Sequence, residues 1–289
     1  DTNGDGNASA PAAGTWAGLG FSGTSTGNLL DNLILRYAGR STNINGQQIP
    51  LFIGTSDLTL SNSLIEESSG SYGIYVSSAS PTITGNTLSS AVTTGIYANN
   101  SDAVITDNTI SNSTSTGIVA GNGSNPTITG NTFTDNAVAI RFDATSTGTT
   151  VTGNTVTAGG LSGIYVSGTL NANVTWQSDW TYVLQSEVTV PSSVTLTIAP
   201  GVVVKGQPAS NNRLNVSGTL IADGTPSAPI VFTSIYDDLY GGDTNGDGNA
   251  SAPAAGTWAG LGFSGTSTGN LLDNLILRYA GRSTNINGQ

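Results

Sequence analysis

Apolar and polar residues alternate along short stretches of this chain. At Gly73-Ile74-Tyr75-Val76, and again at Gly163-Ile164-Tyr165-Val166, every second position is apolar. That is the period of a β-strand, and it sends Ile74 and Val76 inward and Tyr75 outward. A Gly-Ile step recurs at Gly95-Ile96, Gly117-Ile118 and, with alanine for glycine, Ala139-Ile140. Each of the first four steps is followed by a second motif, apolar-x-x-Asn-x-apolar. Its asparagines are Asn86, Asn108, Asn131 and Asn154, spaced by 22, 23 and 23 residues. Asn62 in LTLSNSL and Asn32 in LLDNLI read as earlier members of the same series. A period this short, with β-branched and turn residues and no 3.6-residue apolar stripe, predicts one solenoid coil per repeat.

The second half carries longer coils of the same kind. VTV at 188–190, LNV at 214–216 and LGF at 19–21 read as first strands. TLTIA, TLIAD and NLLDN follow as second strands, and VVVKG, IVFTS and LILRY as third strands. The expected fold is all-β: a right-handed parallel β-helix solenoid with three strands per coil. Ile74, Ile96, Ile118, Ile140 and Ile164 should form one internal stack.

A longer repeat lies over the short one. Residues 1–47 recur without a change at 243–289, an offset of 242 residues. Fixed-period self-similarity marks a repeat architecture. The chain is therefore expected to hold one β-helix unit at 1–242 and the start of the next identical unit at 243–289. Nine or ten coils per unit correspond to about 45 Å of axial length.

The recurrent asparagines have two structural readings. An asparagine tolerates the left-handed backbone of a tight corner. Alternatively, Asn32, Asn62, Asn86, Asn108, Asn131 and Asn154 stack as an amide ladder, and the ladder is the preferred reading. The G-I-Y-V and I-T-G-N-T steps resemble the parallel β-helix repeat of pectate-lyase-like proteins. The stretch VTLTIAPGVVVKG with LNVSGTLIADGTPSAPIVFTS and GGDTNGDGNASAPAAGTWAGLGF is similar to β-helix modules of large bacterial surface and secreted proteins. This resemblance implies the fold and an extracellular or cell-surface location. It leaves the function open, because such folds include lyases, hydrolases, adhesins and passive stalks.

Composition narrows the chemistry. The chain has no histidine and no cysteine, which removes Ser-His-Asp and Cys-His sites, Cys- or His-ligated zinc and any disulfide framework. The formal net charge is −11, and the seven basic residues form no run, so nucleic-acid binding is not expected. No stretch approaches the roughly 18 apolar residues of a membrane helix, so no membrane insertion is expected. Arg141 is the only basic residue in the Gly-Ile column and has no acidic companion there, unlike a pectate lyase site. The chain is expected not to be an enzyme.

Two candidate sites remain. Asp243, Asn245, Asp247 and Asn249 alternate in D-T-N-G-D-G-N, the first half of a calcium loop. Position twelve is Ala254, so a further carboxylate from Asp237 or Asp238 would have to complete the set. Calcium is the cofactor this loop fits; the alternative is a polar Asx-turn loop without metal. Tyr75, Tyr97 and Tyr165 share an outward column that would either contact sugar or pack across strands. The expected function is a structural tandem-repeat module of a rod, fibre or adhesin stalk whose partners are adjacent copies of the repeat. The alternatives are an adhesive β-helix binding a cell-surface or matrix polysaccharide and, last, a polysaccharide lyase.

Overall fold

The computed structural model describes residues 5–6, 8–40, 46, 48–90, 92–209 and 211–282. Its strands pair in parallel, each with its counterpart one coil away. Ten coils follow one another among the described residues. Their first strands are Leu19–Ser22, Leu51–Gly54, Tyr72–Ser77, Thr94–Asn99, Thr116–Gly121, Val138–Asp143, Leu161–Thr169, the 188–190 end of Tyr182–Val190, Arg213–Val216 and Gly260–Phe263. The fold is the expected right-handed parallel β-helix with three strands per coil. No helix among the described residues is long and apolar enough to cross a membrane.

The periodic apolar residues become axial stacks. Ile74, Ile96, Ile118, Ile140 and Ile164 sit in register, each fully buried. Leu60, Ile83, Ile105 and Ile128 form a second column on the next face, and Ile65, Leu88, Ile110 and Phe133 a third. Burying one such side chain contributes about 1.5–3 kcal/mol. The glycine before four of the five isoleucines packs tightly, while Ala139 takes this place before Ile140: a Cβ at Gly117 would lie 2.6 Å from the Phe133 ring and 2.8 Å from the Ala139 carbonyl.

The asparagines divide between two adjacent positions of the corner. The corner residue itself has positive φ in coil after coil: Asn32 (54°), Asn62 (49°), Gly85 (67°), Asp107 (56°), Gly130 (68°) and Gly153 (63°). The next residue points inward, and there the ladder forms. Asn86 Nδ2 donates to Asn108 Oδ1, Asn108 Nδ2 to Asn131 Oδ1 and Asn131 Nδ2 to Asn154 Oδ1, each at 2.9 Å. Each of these acceptor oxygens also takes the backbone N–H of the asparagine before it, at 2.9–3.0 Å. A buried amide left unmet would cost about 1–3 kcal/mol, so the stack is self-consistent only when continuous. Asn32 and Asn62 are not in the ladder. They occupy the left-handed corner, and both donate to the Asp31 carboxylate. Ser63 holds the ladder position in that coil, donating its N–H to Asn86 Oδ1 at 2.9 Å.

The cross-section changes at strand Leu161–Thr169. Its Ile164–Val166 segment carries Tyr182–Leu184, while Gly168–Thr169 carries Val188–Thr189. From there the third strand of one coil and the first strand of the next lie in one wide sheet, and Val174–Trp176 opens a new four-stranded sheet. Trp176 and Tyr182 stack at this change, with ring centroids 4.6 Å apart.

Candidate functional site

The outward residues of the wide sheet form one column: Phe52, Tyr75, Tyr97, Val119, Arg141, Tyr165, Val183, Lys205 and Thr233. Strand geometry makes all of them outward, yet their surroundings differ. Beyond strand Ile230–Ser234 the chain leaves the coil and lies against this face as a strap. Ile235 and Tyr236 pack with Tyr165 and Val183. Thr244 O accepts the Ser162 N–H at 3.0 Å, so the strap reaches back to the coil that begins at Leu161. It then returns to Trp258, which lies on Gly206: a Cβ there would be 2.6 Å from the indole.

This strap overturns one expectation. Tyr165 has no exposed surface and cannot contact a sugar. Burial pushes its phenol pKa far above the ordinary value. Period-2 alternation places the side chain outside the coil but is silent on what covers it. Tyr75 and Tyr97 are half-buried, and Tyr72 joins them. Their rings stack face to face, with centroids 5.0–5.5 Å apart. Asn99 Nδ2 also donates to the Tyr75 hydroxyl at 2.8 Å. The ring faces a sugar would need are thus largely given to neighbouring rings.

The strap carries the acidic loop. Carboxylate oxygens of Asp238, Asp243 and Asp247 lie within 4.8 Å of one another. The loop holds Asp243 by its own backbone: Asp247 N donates to Asp243 Oδ1 at 3.2 Å and Gly248 N to Asp243 Oδ2 at 2.8 Å. Asn245 Nδ2 donates to Asp247 Oδ2 at 2.8 Å and to Ser251 Oγ at 3.0 Å, and Ser251 Oγ bonds Asp247 Oδ2. Three oxygens are left over. Asp238 Oδ1, Asn245 Oδ1 and Asp247 Oδ1 are closed off from solvent and have no hydrogen-bond partner. Asn249 is exposed beside them.

The two adjacent aspartates have different fates. Asp238 joins the cluster. Asp237 does not: it is buried, accepts from Thr233 Oγ1 at 2.6 Å and pairs with Arg278 at 3.3 Å. It ties the strap to the coil beneath, which removes it from the expected metal set. Under the loop, buried Lys205 donates from Nζ to Gly242 O at 2.7 Å. Burial lowers its pKa to about 8, opposed by the charges of Asp238, Asp237 and Asp243. Asp238 is raised above the ordinary carboxylate value, first by burial and then by the charge of Asp243. The Ser251 hydroxyl lowers Asp247. Lys205 escaped the sequence reading because nothing near it in the chain is acidic; only the fold brings the strap over it.

Two family models match the chain. A right handed beta helix region matches residues 49–180, and a pectate-lyase like beta helix domain matches residues 168–274. Their boundary falls at the change of cross-section. Together with the coil geometry they show the right-handed parallel β-helix fold. No curated protein and no solved structure matches it.

Proposed function

We propose that the chain is a structural repeat of an extracellular rod, fibre or adhesin stalk in which 242-residue units stack end to end. One observation carries this reading. The coil at 19–36 pairs with the coil at 51–66, through Leu19↔Leu51, Leu30↔Leu60 and Leu35↔Ile65. The same residues 242 positions later, at 261–278, pair on their other side with the coil at 213–234, through Leu261↔Leu214, Leu272↔Ala222 and Leu277↔Phe232. The two copies thus display the two neighbours of a single coil sequence. In the proposed array one copy of this coil sequence would carry both sets of pairings at once, and the solenoid would continue across the seam.

Such an arrangement satisfies strand edges that would otherwise invite unspecific pairing. The coil at 19–36 lies nine coils before its copy, so each unit adds about 43 Å of rod at roughly 4.8 Å per coil. The partners are then neighbouring copies of the repeat, and the chain has no catalytic role of its own. The likeness of GGDTNGDGNASAPAAGTW and its surroundings to surface-protein modules supports an extracellular place. A polysaccharide-binding role on Tyr75 and Tyr97 is less supported, because their ring faces are stacked. Electron microscopy of chains with two, three and four units tests the proposal. Unbranched rods that lengthen by about 43 Å per unit are expected; compact particles, or rods whose length ignores unit number, would overturn it.

A further inference from the structure

We infer that the far end of the strap is a calcium site, formed by Asp238, Asp243, Asn245 and Asp247, and that the ion fastens the strap to the outer face of the solenoid. Two independent observations meet here. The first is the convergence of the Asp238, Asp243 and Asp247 carboxylates within 4.8 Å, with Asp238 arriving from outside the D-x-N-x-D run. Three carboxylates at that range repel one another, and like charges this close persist only with compensation. The second is the set of orphaned oxygens. Asp238 Oδ1, Asn245 Oδ1 and Asp247 Oδ1 are shut away from water without any donor. Native proteins rarely leave buried acceptors unmet, and an ion is one accepted explanation when they do. All three are oxygen ligands, the chemistry of a hard cation.

Charge and shape favour calcium over the other hard cation. Lys205 offsets one of the three negative charges, and its ammonium is already committed to Gly242 O at 2.7 Å. A net charge near −2 is left, which suits a divalent ion. Gly248, six residues into the loop counting from Asp243, has positive φ, the place and conformation of the glycine that makes the sharp turn of a calcium loop. The position gives the ion its consequence. Thr244, inside the loop, holds Ser162, and Gly241-Gly242 lie over Lys205. Ordering the loop therefore orders the strap that buries Tyr165, Val183 and Lys205. This holds whether or not units stack into a rod.

The test is calcium titration of the chelator-treated 289-residue chain by calorimetry, with hydrogen exchange of segment 235–258 read with and without the ion. Saturable binding is expected, with exchange slowed in 235–258 and a raised melting temperature. Asp238→Asn and Asp247→Asn should each weaken binding at least tenfold, while Asp57→Asn, at an exposed turn five coils away from Ser162, should leave it unchanged. Circular dichroism confirms that the variants keep the β-helix. No saturable binding up to about 10 mM, beyond the range of extracellular calcium modules, would overturn the site. So would binding undiminished in both loop variants. Magnesium binding as tightly as calcium would overturn the choice of ion, and binding that leaves exchange in 235–258 unaltered would overturn the fastening.

Discussion

Residues 1–47 and 243–289 are the same sequence in two settings. Where both copies are described, the bonds that close the tryptophan turn repeat. Trp16 Nε1 donates to Arg36 O at 2.7 Å, and Trp258 Nε1 to Arg278 O at 2.9 Å. Arg40 N and Arg282 N each donate to the preceding tryptophan's carbonyl at 3.0 Å. Burial does not repeat. Trp16 is 40% exposed and Trp258 is 0% exposed, because only the second copy has Gly206 and the coil at 213–234 beneath it. Leu35 is 2% exposed under the coil at 51–66, while Leu277, the same residue one unit later, is 48% exposed. The shape of this segment is set by its own residues, and its share of the hydrophobic core is supplied by neighbours.

The largest test of that contrast is the tryptophan pair. Trp258→Ala should cost about 3–5 kcal/mol, as expected for a large side chain removed from a packed core. Trp16→Ala should cost about 1–2 kcal/mol, in proportion to its lesser burial. Denaturant midpoints of the two variants measure the difference, and equal losses would break the comparison. In a longer tandem chain, where a preceding unit covers Trp16, its cost should rise to that of Trp258.

The arginines sharpen it. Arg36 pairs with Glu66 from the following coil, and Arg278 with Asp237 from the preceding one. Arg278→Ala strands a buried carboxylate that keeps only Thr233, and should cost about 2–3 kcal/mol. Arg36→Ala removes an exposed pair and should produce a small loss that added salt erases. Thermal melts at low and high ionic strength separate the two.

An effect confined to alkaline pH comes from between the copies. Burial raises the Tyr182 phenol to about 12, against about 10 in an unfolded chain. The unfolded state loses its proton first, so the contribution is complete below pH ~10 and disappears as pH rises through ~12. The loss should reach about 3 kcal/mol at most, and should be the same in the Trp16→Ala and Trp258→Ala backgrounds. Stability measured across that alkaline range checks it; a Tyr182→Phe chain should lack this part of the decline.

Much of the fold was legible because its cause is periodic. The Ile74 to Ile164 stack and the strand triplets of the longer coils follow from spacing alone, since each coil must bury the same positions. The asparagine series shows the limit of that method. LTLSNSL matches the motif if Asn62 is aligned with Asn86, but the backbone aligns Leu60 with Ile83 and so puts Ser63 beside Asn86. One residue separates an exposed left-handed corner from a buried ladder, and motif matching does not resolve one residue. Long-range covering was less legible still. The D-T-N-G-D run was visible, but the choice between Asp237 and Asp238 depends on which way the strap turns after Ser234. Tyr165 disappears beneath residues about 70 positions further along the chain.

The matching edges of the two copies bear on heredity. In most proteins, inserting a large block of residues creates new junctions that must be repaired by further mutation. In the proposed array the block carries both sides of its own junction, so an unequal exchange between neighbouring copies in the gene would add or remove a whole unit and leave every remaining contact as it was. Reach would then become a count, open to rapid change in a lineage, while the chemistry of each seam stayed constant.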